Sequence, residues 1–137
     1  MTPDQIFLIR STFHRLEAMP EKAAELFYDQ LWAIDASTAP LFAQSDMALQ
    51  GHKLMASMAY VVNALDKPDL VLPVAQDLAR RHIAYGVTQS HYVSMGKALL
   101  GMLEQFLGAD FTPEVAAAWD EAYALLSGIM TTAAYPG

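Results

Sequence analysis

The most pointed chemistry in this chain is one imidazole with two guanidinium groups beside it. The stretch LARRHIAYGV, Leu78–Val87, sets Arg80 and Arg81 directly before His82. The sequence holds only eight Lys and Arg against fifteen Asp and Glu, so two of its eight cations stand at one histidine. Such a residue can act as a general base, as a metal ligand beside an anionic cofactor, or as an ordinary helix residue. Of the four histidines, His14, His52, His82 and His91, only His82 combines this flank with a glycine, Gly86, placed to close its helix.

The signatures of several enzyme classes are missing. No Asp or Glu lies three residues before any histidine, so the carboxylate–x–x–His ligands of a helical di-iron site are absent. There is no His–Glu–x–x–His pair for zinc, and GKALLG lacks the lysine–hydroxyl ending of a phosphate loop. Gly96 and Gly101 read instead as close-packing positions within a helix. The serines are few and none sits at a strand-to-helix elbow. Without cysteine there is no thiolate catalysis, iron–sulfur cluster or disulfide. A net charge of −7 argues against nucleic acid as a partner, because phosphate backbones need clustered cations.

The elements that must position His82 are helical throughout. No segment alternates polar and apolar residues over a strand length, whereas helical spacing recurs. A first helix is expected from Thr2 to Ala18, with Ile6, Ile9, Phe13 and Leu16 on one face. A second starts at Pro20 and presents Ala24, Phe27, Tyr28 and Leu31. A corner with a short helical turn follows around Pro40, then a helix from Met47 to Leu65. The helix bearing His82 is placed with Pro73 in its first turn and Gly86 as a left-handed cap. Thr88 to Leu107 forms a long helix, and FTPEV opens the last one. The sequence is thus all-α, a single domain over 1–137. Its 54% hydrophobic residues are an excess for so short a chain, which implies that some of them line a ligand. The amino terminus carries an acid early and lacks a long apolar core. The longest apolar stretch is broken by Ser57 and Asn63. The expectation is a soluble, cytoplasmic protein with no membrane partner.

Taken in order, LFYDQLW, PLF, QGHKLM, DLARRHIAYGV, SHYVSMGKALL and FTPEVAAAWDEAY cover nearly the whole chain. In this series the sequence resembles the globins, in particular single-domain bacterial haemoglobins related to the haem domain of flavohaemoglobins. The resemblance implies a globin fold of six to eight helices sandwiching a haem b, with His82 as the proximal iron ligand. Phe42 resembles the phenylalanine that packs on the haem face, and Tyr92 the tyrosine on its proximal side. Tyr28 resembles the distal tyrosine, and Gln50 the distal-helix residue facing bound ligand, with Leu54 one turn further on. A shift of one residue would place Gly51 at that position instead. Haem brings two propionates, for which Lys53, Arg80 and Arg81 are the nearby cations, and Arg80 and Arg81 cannot both point the same way. The related proteins carry a glutamate near the end of the last helix that pairs with the proximal tyrosine and histidine. No Asp or Glu follows Glu121 here, so His82 is expected to donate its second ring N–H to a carbonyl near Leu78.

The implied function is tight binding of dioxygen, and of other diatomic gases, at ferrous iron. Scavenging, sensing and nitric oxide dioxygenation all fit tight binding. The last would require a separate reductase, since no reductase domain is expected in this chain. The alternative is a cofactor-free helical module that binds a partner or an apolar ligand.

Overall fold

The computed structural model describes residues 1–135. It contains six α-helices: α1 (Pro3–Ala18), α2 (Pro20–Ile34), α3 (Met47–Asn63), α4 (Pro68–Ala84), α5 (Gln89–Leu107) and α6 (Pro113–Ala134). Two 3-10 segments join them, Ala36–Phe42 between α2 and α3, and Gly108–Asp110 between α5 and α6. There is no strand among the described residues. Local chemistry sets most of the boundaries. Thr2 caps α1 through a reciprocal pair with Gln5, and Asp46 caps α3 by accepting from the Ala48 and Leu49 N–H groups. Thr112 does the same for α6 at Val115. Asp35 ends α2 and immediately caps the following 3-10 segment, so the chain turns sharply at one residue.

One helix start differs from the sequence reading. α4 begins at Pro68, and Pro73 lies inside it. Pro68 occupies a first-turn position, where the missing N–H costs nothing. Pro73 then forgoes the bond to the Asp69 carbonyl. It sits on an exposed stretch of the helix, where water can serve that carbonyl.

The core gathers Ile9, Phe13 and Leu16 of α1, Leu31 of α2, Met102 and Leu103 of α5, and Trp119 of α6, all nearly or fully buried. The Trp119 indole N–H donates to the Thr12 hydroxyl at 2.9 Å, which satisfies both polar groups inside that core. α2 packs across α5, and α3 lies on α2 and α1. α4 is held chiefly by α6. α3 and α4 therefore belong to different sides of the bundle, and close packing does not join them.

Candidate functional site

His82 sits near the end of α4, and the geometry around it is closely determined. Gly86 has φ +89°, the left-handed region that glycine enters without strain. Its N–H donates to the Ile83 carbonyl, and the Val87 N–H donates to the carbonyl of His82 itself, both at 3.0 Å. This glycine closure ties the backbone of His82 to the turn that follows. Leu41, of the segment before α3, packs onto Gly86. The His82 ring is then oriented through Nδ1, which lies 2.6 Å from the Leu78 carbonyl. A carbonyl only accepts, so Nδ1 carries the proton and Nε2 carries the free lone pair. Burial pushes the imidazole pKa below its ordinary value, against a smaller opposing effect of the Leu78 bond, so the neutral ring is favoured.

Tyr28, Trp32 and Phe42 form an aromatic cluster at the junction of α2 and the 3-10 segment. The Tyr28 and Phe42 rings are edge-on at 5.2 Å, and Trp32 lies 5.9 Å from Tyr28 and 6.0 Å from Phe42. No motif in the sequence singles out Trp32, although it stands one turn after Tyr28 on the same helix face. Burial pushes the Tyr28 phenol up to about 12, only partly offset by hydrogen bonding at Gln50. The hydroxyl therefore stays protonated and remains a donor. It lies 3.5 Å from the Gln50 backbone carbonyl, at the outer limit of a hydrogen bond. A cavity of about 520 Å³ runs beside Tyr28 between α2 and α3, bounded in part by Ala24, Trp32, Met47, Gly51 and Met55.

The register of α3 can be read from its packing. Gly51 is buried, and a Cβ there would stand 3.1 Å from the Ala24 Cβ, so this residue faces α2. A second cavity, of about 380 Å³, opens between α3 and α4 and is lined in part by Ser57, Tyr60, Pro73, Leu78 and Arg81. Gln50, Leu54 and Ser57 follow the four-then-three spacing of one helix face. Gln50 is half-buried and Leu54 packs against the core. Lys53 lies one turn before Ser57 on α3 and is exposed, and Arg81 stands on the opposite, α4 wall of this cleft. Arg81 is paired with Asp77 one turn earlier, and both side chains are about half exposed or more. Arg80 is exposed and forms no ion pair among the described residues.

Tyr92, in the first turn of α5, places its ring 6.1 Å from that of His82. It is buried, and its hydroxyl has no hydrogen-bond partner among the described residues. Burial, and secondarily Tyr135, push its pKa up. Two tyrosines near the end of the chain hold this region by backbone contacts. The Tyr123 hydroxyl donates to the Tyr92 carbonyl, and the Tyr135 hydroxyl donates to the Val87 carbonyl at 2.8 Å. Sequence reasoning misses both, because contacts to a distant backbone leave no local pattern.

The globin family model matches residues 27–130. The chain belongs to the globin family. It is similar to the flavohemoproteins of Bordetella parapertussis and Deinococcus radiodurans, each 29% identical over 132 residues and 95% of this chain. The flavohemoprotein of Bacillus subtilis is 26% identical over 124 residues, 89% of this chain. This globin spans about a third of the length of the relatives it matches, 33%, 33% and 31% respectively. Membership implies haem binding, and the donor set fits that group. Among the described residues no group of three or more His, Asp or Glu could hold a bare metal ion. One neutral imidazole with Nε2 free suits a metal whose other ligands a macrocycle supplies. No helix among the described residues is long and apolar enough to cross a membrane.

Proposed function

We propose that this globin holds haem b through His82 and binds dioxygen tightly at ferrous iron. The reading rests above all on the His82 imidazole near the end of α4, oriented through Nδ1 by Leu78 with Nε2 left unpaired. When bound, haem would supply an iron able to bind a diatomic gas. The remaining work falls to the protein. His82 Nε2 would hold the metal, while Phe42, Leu54 and Tyr92 would pack against the macrocycle and keep water from it. Arg81, on the wall of the α3–α4 cleft, and Lys53, exposed on α3, would be the cations for the propionates. Tyr28 offers its O–H, and Gln50 its side-chain N–H, to a gas that becomes partly negative on binding.

Two donors to a charged acceptor are worth about 1.5–3 kcal/mol each. At about 1.4 kcal/mol per decade, they slow dissociation by roughly a hundredfold or more. A protein with so slow a release suits scavenging, sensing or nitric oxide dioxygenation better than delivery. The relatives' name, flavohemoprotein, joins a flavin to the haem, and this chain matches about a third of them. Turnover would draw electrons from a reductase. The acidic balance, the lack of cysteine and the absence of a long apolar segment support a cytoplasmic setting with no nucleic-acid partner. Absorption spectra of the ferric, ferrous and oxygenated protein test the reading. The expected result is a Soret band near roughly 400 nm, as haem ligation gives in general, and an oxygenated form that persists after rapid dilution into deoxygenated buffer. A colourless protein that takes up no added haem would defeat it.

A further inference from the structure

His91 is a buried histidine, 7% exposed, that has no part in the haem site described so far. It bridges two parts of the molecule far apart in sequence. On one side its Nδ1 lies 3.0 Å from the Thr88 backbone N–H at the start of α5. On the other its Nε2 lies 3.0 Å from the Ser37 hydroxyl, in the 3-10 segment that ends at Phe42. Ser37 in turn is 2.6 Å from one oxygen of Asp35, whose second oxygen accepts from Ser94 of α5 at 2.7 Å.

The direction of every proton in this series follows from one fact. The Thr88 N–H can only donate, so Nδ1 must accept and the ring proton must sit on Nε2. Nε2–H then donates to Ser37, and the Ser37 O–H donates to Asp35. In this order His91 cannot serve as a base toward Ser37, because the nitrogen facing the hydroxyl already carries the proton. The cluster is not a nucleophilic site. It is a mechanical link, and its two ends are Phe42, at the close of the Ser37 segment, and Tyr92, which follows His91 directly and stacks near His82.

We propose that His91 is a positioning residue that couples the Phe42 corner to the proximal start of α5, and that protonation at Nδ1 releases the α5 end of this coupling. The inference deepens the haem reading and depends on it for its functional consequence. A second ring proton would face the Thr88 N–H, donor against donor, so the cap of α5 is lost. The charged group of this network is Asp35, at the α2 boundary, which Ser37 links to His91. The other polar partners, Thr88 on α5 and Ser37 in the 3-10 segment, are neutral. Protonation thus strengthens the Ser37–Asp35 side and breaks the α5 side, drawing the imidazole away from the helix that carries Tyr92.

Nitrogen NMR of histidine-labelled, carbon-monoxide-bound ferrous protein between about pH 8 and pH 5, the range in which imidazoles change charge, reads this directly. At the alkaline end, His91 should show an unprotonated Nδ1 and a protonated Nε2. On acidification Nδ1 should gain its proton, and the Tyr92 and Phe42 ring signals should shift with the same midpoint. Gln at the third position of a helix is an ordinary partner for a threonine cap, so His91→Gln keeps the α5 start folded without a titrating group. Both ring signals should then lose that midpoint, and the acid-induced rise in haem loss should be about fivefold smaller, the equivalent of one neutral hydrogen bond. Ser37→Ala should leave the Tyr92 response and remove that of Phe42. A protonated Nδ1 at the alkaline end would overturn the proposal, as would Tyr92 and Phe42 signals that ignore the His91 titration. The tautomer and ring signals can be recorded equally on haem-free protein. A chain that failed to bind haem would therefore sink the functional reading while the link itself was still tested.

Discussion

Replacing Tyr28 by Phe deletes one oxygen and leaves the ring that packs against Phe42 and Trp32. The expected magnitude follows from what the hydroxyl gives up and what it gains. Its present partner, the Gln50 carbonyl, is 3.5 Å away, at the limit of bonding, so turning toward a bound gas costs at most a few tenths of a kcal/mol. A hydrogen bond to a charged acceptor contributes about 1.5–3 kcal/mol. The difference, about 1–2.5 kcal/mol, predicts dioxygen dissociation roughly five- to sixtyfold faster in Tyr28→Phe. Because burial holds the phenol at about 12, the wild-type rate should not vary through Tyr28 ionisation below about pH 10, the ordinary phenol value. Gln50→Leu should act in the same direction with a smaller effect, since its longer side chain must be ordered before it donates. Carbon monoxide carries far less charge when bound and should respond less to either change. Stopped-flow release of both gases is the assay. An unchanged dioxygen rate in Tyr28→Phe would mean that the phenol never reaches the gas, and the tight-binding reading would go with it.

Three further outcomes are expected. Changing Lys53, Arg80 and Arg81 together to Gln should speed haem loss by roughly fivefold, the equivalent of about 1 kcal/mol at an exposed ion pair; equal rates of transfer to an acceptor globin would show that these cations do not hold the propionates. Gly96→Ala places a Cβ 2.7 Å from Cε2 of Tyr123, whose hydroxyl is anchored on the Tyr92 carbonyl, and overpacking of this kind should lower stability by about 1–3 kcal/mol in urea titration; an unaltered midpoint would show that the ring moves freely. Asp35 is held below the usual carboxylate range first by Ser37 and then by Ser94, so its contribution is complete above the unfolded value of about 3.9 and is lost as pH falls through the lower folded value. Asp35→Asn should therefore flatten the stability curve in that acid window only, and a parallel curve displaced at every pH would contradict it.

Helix identity was legible because each helix repeats its apolar face several times, and a repeated signal survives local exceptions. The glycine that closes α4 was legible for a different reason: only glycine fits φ +89° without strain, so Gly86 marks a helix end just beyond His82. The start of α4 was not. Pro68 and Pro73 carry the same first-turn signal, and what distinguishes them is the tolerance of an exposed helix for one missing bond, which spacing does not encode. The bond from Nδ1 of His82 to Leu78 was open to reasoning because it spans a single turn. The Asp35–Ser37–His91–Ser94 cluster was not, since its partners meet only after α5 packs across α2. Trp32 lies between these cases. Its place beside Tyr28 follows from helix geometry, but its contact with Phe42 depends on how the 3-10 segment folds back.

The central claim is that one neutral imidazole, that of His82, holds the haem iron. Replacing His82 with Ala, beside His14→Ala and His52→Ala controls, and recording the ferrous and carbon-monoxide spectra after gel filtration tests it most directly. Only His82→Ala should lose stable haem or show an altered spectrum, and added imidazole should restore the wild-type bands by occupying the space the ring leaves. An unchanged ferrous spectrum in His82→Ala, with haem lost from either control, would contradict it.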